Sequence, residues 1–227
     1  MEKVEIFEGD RATNYDNFVH QWIPGYDYVM ETLPRLLHNL GADSSSGLLV
    51  AGCGTGGEII ALRDAGYDGP ITGVDPSPQM MELAHQKIEH LTNIKLVSGE
   101  VKDLPLANSY GAATLILVLH FLADNGTKQA LLNDLAERMK PGAPLVMVDI
   151  FGTPEELQDN LQVLKHLLPK AITEEQANER LERIKEKINY ISESRLSELL
   201  VNAGFKPPTR FIHTSIYGGW YTIKATA

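Results

Sequence analysis

The chain is organised around Leu48-Leu49-Val50-Ala51-Gly52-Cys53-Gly54-Thr55-Gly56-Gly57. Four apolar residues suited to a buried strand run into a turn with glycine at 52, 54, 56 and 57, and a helical pattern follows from Glu58. Glycines at such a junction permit positive φ and let backbone amides approach a ligand with no Cβ in the way. Nineteen residues after Gly56, a second apolar run ends in Gly73-Val74-Asp75. A carboxylate there can accept hydrogen bonds from both hydroxyls of a ribose and hold a nucleoside where the strand order reverses. The competing reading is a tight turn whose glycines serve packing alone, and the acid downstream weighs against it.

Outward from this loop, short apolar runs at 48–51, 71–74, 94–97, 112–119 and 145–150 are bounded by Gly, Pro, Asp or Asn. Such runs suit strands buried on both faces of a parallel sheet. Amphipathic segments lie between them. The helix over 58–65 is closed by Gly66, that over 78–90 has Ser77 as N-cap and Pro78 in its first turn, and that over 128–140 is stopped by Pro141-Gly142. Strand and helix alternate, which predicts an α/β doubly wound sheet.

Segments flank that core on both sides. Residues 1–46 carry Tyr15, Trp22, Tyr26 and Tyr28 and a helical run over 29–40, and read as an N-terminal helical cap. Residues 151–191 open on Thr153-Pro154-Glu155-Glu156 and continue to Thr173-Glu174-Glu175-Gln176, two capping boxes that predict a helical lid inserted after the fifth strand. Leu157, Leu161, Leu164, Leu168, Leu181, Ile184 and Ile188 make one apolar face, suited to packing on the sheet edge or to a dimer contact. Residues 192–227 read as a helix over 193–203 ended by Gly204, then strands at 209–215 and 220–224 joined by a turn at Tyr217-Gly218-Gly219. The expected architecture is one domain over 1–227 with its cofactor-binding core at 47–150. Its sheet has seven strands, mostly parallel, closed by a C-terminal antiparallel pair.

Composition narrows the function classes. With 43% hydrophobic residues and ordinary Gly and Pro counts, the chain is neither disordered nor low-complexity. Its longest apolar runs fall well short of the roughly 20 residues a bilayer needs, and Met1-Glu2-Lys3-Val4-Glu5 is unlike a signal peptide. A cytoplasmic setting is expected, with no membrane partner. A single cysteine excludes an internal disulfide framework. The net charge of −10 repels phosphate backbones, so a small-molecule partner is favoured over nucleic acid. The oligomeric expectation is a monomer or homodimer.

Two cofactor templates fit the loop. Gly52, Gly54 and Gly57 satisfy the dinucleotide pattern G-x-G-x-x-G, and Gly52, Gly54 and Gly56 satisfy G-x-G-x-G, the pattern of S-adenosylmethionine enzymes. Asp75 serves either ligand. Further motifs carry a resemblance. Residues 50–56 and Gly73-Val74-Asp75-Pro76-Ser77 resemble the first and second motifs of the class I S-adenosylmethionine-dependent methyltransferases. Residues 98–105 are similar to the segment that frames the adenine, Leu117-Val118-Leu119-His120-Phe121-Leu122 to the fourth motif, and Met139-Lys140-Pro141-Gly142 to the turn before strand five. The closing antiparallel strand pair resembles that family too.

The resemblance implies S-adenosyl-L-methionine as cofactor and S-adenosyl-L-homocysteine as product. It places Gly52, Gly54 and Gly56, with Cys53 in the same loop, under the methionine and ribose. Asp75, followed by Pro76, would hold the ribose diol. Glu100 would accept from the adenine amino group while the Val101 amide donates to the ring. Leu117 and Val118 would lie near the sulfur, and Tyr15 and Tyr26 would contact cofactor or substrate. The stretch Trp22-Ile23-Pro24-Gly25-Tyr26 also resembles the subgroup of the tRNA wobble-uridine carboxymethyltransferase, which uses a carboxylated cofactor. That leaves a tRNA-modifying or carboxy-S-adenosylmethionine-using relative, or a non-catalytic cofactor-binding protein, as alternatives. One departure stands out: Val50 occupies a position where many family members carry an acid.

Methyl transfer needs a general base only for a nucleophile that arrives protonated. His120, after strand four, is the candidate, with packing against Phe121 as the other reading. His20, near Trp22 and Tyr26, could also line a pocket. His38, His85, His90, His166 and His213 read as peripheral, and no histidine pair has metal-ligand spacing. Cys53 reads as a small apolar filler, not a nucleophile.

Overall fold

The computed structural model describes residues 7–106 and 110–226. At its centre β1 (Leu48–Ala51) pairs in parallel with β2 (Ile71–Asp75) on one side and β4 (Ala112–Ile116) on the other. β3 (Ile94–Ser98) lies outside β2, and β5 (Pro144–Ile150) lies beyond β4. β6 (Thr209–Thr214) and β7 (Tyr217–Ile223) complete a seven-stranded sheet of order β3-β2-β1-β4-β5-β7-β6, with β7 antiparallel to both its neighbours. The order reverses between β1 and β4, as the glycine loop requires.

Alternation along β1 explains why its four residues are all apolar. Leu48 and Val50 enter one core with Ile59 and Leu62 of α4 (Gly57–Asp64), while Leu49 and Ala51 enter a second core with Leu132 and Leu135 of α6 (Thr127–Arg138). α5 (Pro78–Ile88) follows β2 and α9 (Glu193–Asn202) precedes β6. The expected caps form: Ser77 Oγ accepts from the Met80 amide at 3.3 Å, Thr153 boxes with Glu156, and Thr173 boxes with Gln176. Each such cap contributes about 1 kcal/mol to its helix.

The N-terminal segment folds as α1 (Asp10–Thr13), α2 (Tyr15–Trp22) and α3 (Tyr26–Asn39). The inserted pair is α7 (Pro154–Leu167) and α8 (Glu174–Lys187). Leu157, Leu161, Leu164, Leu181 and Ile184 are buried in one cluster with Val19 and Ile23 of the N-terminal segment and Ile150 of β5, so the apolar stripe is consumed by packing inside this chain. Among the described residues, no helix is long and apolar enough to cross a membrane.

Two expectations are corrected. The fourth strand does not reach residue 119. It ends at Ile116, Leu117 takes φ +60°, and Leu119–Phe121 form a short 3-10 turn. Apolar continuity hid a backbone break. Tyr217-Gly218-Gly219 is not a turn but the start of β7, and the reversal falls at Ser215-Ile216, where Ser215 has φ +51°. The two glycines serve close packing: a Cβ at Gly218 would sit 2.3 Å from Trp220 Cη2, and one at Gly219 would sit 2.6 Å from Ile212 Cγ2.

Candidate active site

The glycine loop closes over the carboxyl ends of β1 and β2. The Gly52 and Cys53 amides donate to the Val74 carbonyl at 2.8 and 3.1 Å, and Gly52 has φ +71°. A Cβ at Gly52 would lie 2.4 Å from Val118 Cγ2, so this side of the cleft is open only because residue 52 has no side chain. Asp75, at the end of β2, accepts the Gly54 amide on Oδ2 at 3.0 Å and the Ser77 amide on Oδ1 at 2.9 Å. Each oxygen keeps a lone pair for a ligand. Burial raises the Asp75 carboxyl, and the Ser77 and Gly54 amides oppose that rise.

A cavity of about 320 Å3 runs past this loop, lined by Gly52, Gly54, Asp75, Pro76, Leu117, Val118 and Tyr15, together with Phe7 and Phe121. A second of about 340 Å3 continues it beyond Gly52, Pro76 and Val118 to Glu100 and Val101. The structure thus brings most of the expected cofactor residues into one cleft at the switch point. Cys53, Gly56 and Tyr26 are outside these linings. The Cys53 thiol is buried 3.8 Å from Met81 Sδ, and burial pushes its pKa up. Gly56 faces α5, where an added Cβ would be 3.3 Å from Ile88 Cγ2. Tyr26 packs against the core, with its hydroxyl pushed up in pKa by burial and then by Tyr15. The Glu100 carboxylate is half exposed and paired with Lys102 Nζ at 2.7 Å.

A third cavity adjoins the first and shares Phe7, Tyr15, Leu117 and Phe121 with it. His120 lines it from the turn after β4, buried, with its ring centroid 3.9 Å from that of Phe121. His120 Nδ1 lies 2.8 Å from Asp149 Oδ1. A carboxylate accepts, so Nδ1 is the donor in this pair. Asp149 Oδ2 also accepts the Leu119 and Val118 amides at 2.7 and 3.2 Å. From the other side the fully buried Lys128 donates to the carbonyls of Leu119 and Asn189, and the Asn189 amide donates to His120 O at 2.9 Å. Burial lowers the Lys128 pKa, opposed by Asp149 and Asp124. The turn is therefore held rigidly by residues that do not line the cavity.

Sequence reasoning passed over several of these groups. Asp149 was signalled only as a lone acid in the apolar run of β5. Asp16, on α2, accepts from Thr55 Oγ1 of the glycine loop and pairs with Lys87 of α5, latching the N-terminal helices onto the loop. Val50 is fully buried, so no side-chain acid is supplied from its position. Glu58, near the start of α4, is buried with no hydrogen-bond partner for Oε1 among the described residues, and burial lifts its carboxyl to about 7 despite the nearby Thr114 hydroxyl. Other aromatics and histidines fall away from the cleft. Tyr28 is exposed, Trp22 stacks on Phe18, and His20 faces Asp27 on the surface.

A strand order with one antiparallel insertion next to the last strand, and a nucleoside-type cleft at the switch point, define the class I S-adenosylmethionine-dependent methyltransferase fold. Residues 48–142 match the model of the methyltransferase domain family. The relatives similar in sequence include a synthase and a methyltransferase. Carboxy-S-adenosyl-L-methionine synthase of Colwellia psychrerythraea is 24% identical over 165 residues, which are 70% of this chain and 66% of that protein. Demethylmenaquinone methyltransferase of Staphylococcus aureus is 31% identical over 135 residues, 59% of this chain and 52% of that protein. The chain thus spans less than two thirds of the length of these relatives. Among solved structures, human N-acetylserotonin methyltransferase in complex with S-adenosylmethionine superposes with a TM-score of 0.59 at 19% identity, covering 93% of this chain and 59% of that one.

Proposed function

We propose that the protein transfers a methyl group from S-adenosylmethionine to a small-molecule acceptor. The observation that carries this reading is the contiguity of two cavities across Leu117. One is lined by Asp75 and the glycine loop, the other by His120. The residues present suit the cofactor, because a Cβ at Gly52 would collide with Val118 across the cleft and each Asp75 oxygen, beyond the amide it already accepts, keeps a lone pair for a diol. In this reading Gly52 and Gly54 lie under the methionine and ribose, with Gly56 and Cys53 shaping the loop from behind. Pro76, Glu100 and Val101 frame the adenine, and Leu117, Val118 and Tyr15 lie near the reacting end. Tyr26 lies outside the cavities and acts through the core it packs against.

When bound, S-adenosylmethionine supplies an electrophilic methyl on a sulfonium, with the activation already in the cofactor. The chain's part is positioning. Tyr15, Phe7 and Phe121 wall the junction between the cavities and exclude water, so that an acceptor lone pair can be held in line with the methyl. His120 Nε2 takes the proton of an acceptor that arrives protonated. Asp149 keeps the ring in the required tautomer and stabilises the imidazolium that results. Leu117, a non-glycine residue at φ +60°, is held at the junction by the bond from its amide to the Val148 carbonyl at 2.8 Å. Incubation with methyl-labelled S-adenosylmethionine and a set of small acceptors tests this reading. Label should move to an acceptor with equimolar S-adenosylhomocysteine; a protein that binds the cofactor yet transfers to none of them would contradict it.

A further inference from the structure

The cavity beside His120 has a charge at odds with the rest of the molecule. The chain carries a net −10, yet Arg11, Arg180, Arg183 and Lys187 line this cavity and, among the described residues, no aspartate or glutamate does. Three of these cations recur on α8 at helical spacing, so one face of that helix turns a basic stripe toward the site. The adjoining cleft carries Asp75 and Glu8 instead. Charge is therefore segregated between two cavities that share a wall.

Two groups in the basic cavity lack partners of the expected kind. Arg180 is partly buried with its guanidinium carbon 4.7 Å over the Phe18 ring, and among the described residues no carboxylate pairs with it. Burial lowers its pKa, the Tyr217 hydroxyl opposes that, and Arg183 and Arg11 add to the lowering. Tyr217 is buried, and its hydroxyl oxygen lies beside the guanidinium without a well-formed hydrogen bond. A desolvated cation and an orphaned hydroxyl at one spot are costly unless something binds there. The carboxylate is the group that suits both, since its oxygens accept from a planar guanidinium and from an O–H at once. The rest of the lining is apolar or aromatic, with Phe18, Phe121, Ile23 and Ile150, and the volume is about 170 Å3.

We infer that this cavity binds a small organic carboxylate, held by Arg180 and Tyr217, with its apolar body against Phe18 and Phe121. Read with the proposed function, on which this part rests, the carboxylate is the handle of the methyl acceptor and directs its nucleophile toward Leu117 and His120. The anion site itself stands on the chain's own residues.

The test uses benzoate and its neutral isostere benzamide, titrated calorimetrically into the whole chain with and without S-adenosylhomocysteine. Benzoate should bind at least about tenfold more tightly than benzamide, as a charge-assisted pair at a desolvated arginine implies. Arg180→Gln should erase that preference, Arg180→Lys should keep part of it, and Tyr217→Phe should reduce it severalfold. Equal affinities, no binding of either compound at millimolar concentration, or a preference that survives Arg180→Gln would overturn the inference. A further arm compares carboxy-S-adenosylmethionine with S-adenosylmethionine. If Arg180 favours the former and does not favour benzoate, the carboxylate belongs to the cofactor and the acceptor assignment falls. S-Adenosylhomocysteine binding is read in the same titrations. Its failure, with the benzoate preference intact, would sink the methyltransferase reading and leave the anion site standing.

Discussion

His120 and Asp149 form a buried pair, Nδ1 to Oδ1 at 2.8 Å, behind the wall of the cavity that His120 lines. The aspartate is tied down by the Leu119 and Val118 amides, so the imidazole has one orientation available. His120→Ala should cut the turnover of a protonated acceptor by about a hundred- to ten-thousandfold, with S-adenosylmethionine affinity kept. Asp149→Asn should do similar damage and also lower stability by about 1–3 kcal/mol, because its amide presents a donor to groups that already donate. Unchanged turnover in His120→Ala would remove the histidine from the chemistry.

Asp75 has a double task, bracing the Gly54 amide and offering its remaining lone pairs to the cleft. Asp75→Ala should weaken S-adenosylmethionine binding by roughly ten- to a hundredfold, from the loss of hydrogen bonds to a charged group. Equal affinity in calorimetry would take Asp75 out of the site.

Gly52 is the tightest point of the cleft. Gly52→Ala puts a methyl 2.4 Å from Val118 Cγ2 at a φ of +71°, so either the loop or the turn after β4 must shift. The expected cost is about 1–3 kcal/mol in stability together with loss of measurable cofactor binding. Denaturant melts and titration of the same sample read both, and a variant that melts and binds like the parent would contradict the cradle.

Glu58 gives a pH signature. Its carboxyl ordinarily titrates near 4.5 and is lifted by burial to about 7 in the fold. Between those values the unfolded chain has released its proton while the folded chain keeps it, so stability falls as pH rises through this window. Above it the folded state carries a buried charge that costs up to about 3 kcal/mol. Glu58→Gln keeps the shape without the ionisation. It should therefore be more stable than the parent at pH 8, with the difference shrinking towards pH 5; parallel curves would show that Glu58 ionises freely.

Much of this architecture was legible because local chemistry announces it. Ser77, Thr153 and Thr173 sit where orphan amides need acceptors, and the apolar runs of β1, β4 and β5 are buried on both faces. Residues that act across the fold were harder to read. The break at Leu117 lies inside an unbroken apolar run, and Gly218-Gly219 has the composition of a turn but the environment of a strand under aromatic rings. Asp149, Lys128 and Asp16 draw their roles from partners 29, 61 and 39 residues away, and the Arg180 guanidinium lies over the ring of Phe18, which α2 supplies. No periodicity encodes such distances. The candidate cofactor loop was visible; the basic cavity beside it was not.

The most direct measurement is calorimetric titration of the cofactor-free protein with S-adenosylmethionine, S-adenosylhomocysteine and NAD. Micromolar binding of both sulfur nucleosides, with none of NAD, is the predicted result. A folded sample silent to both sulfur ligands, or one that binds NAD instead, would contradict the assignment of the cleft.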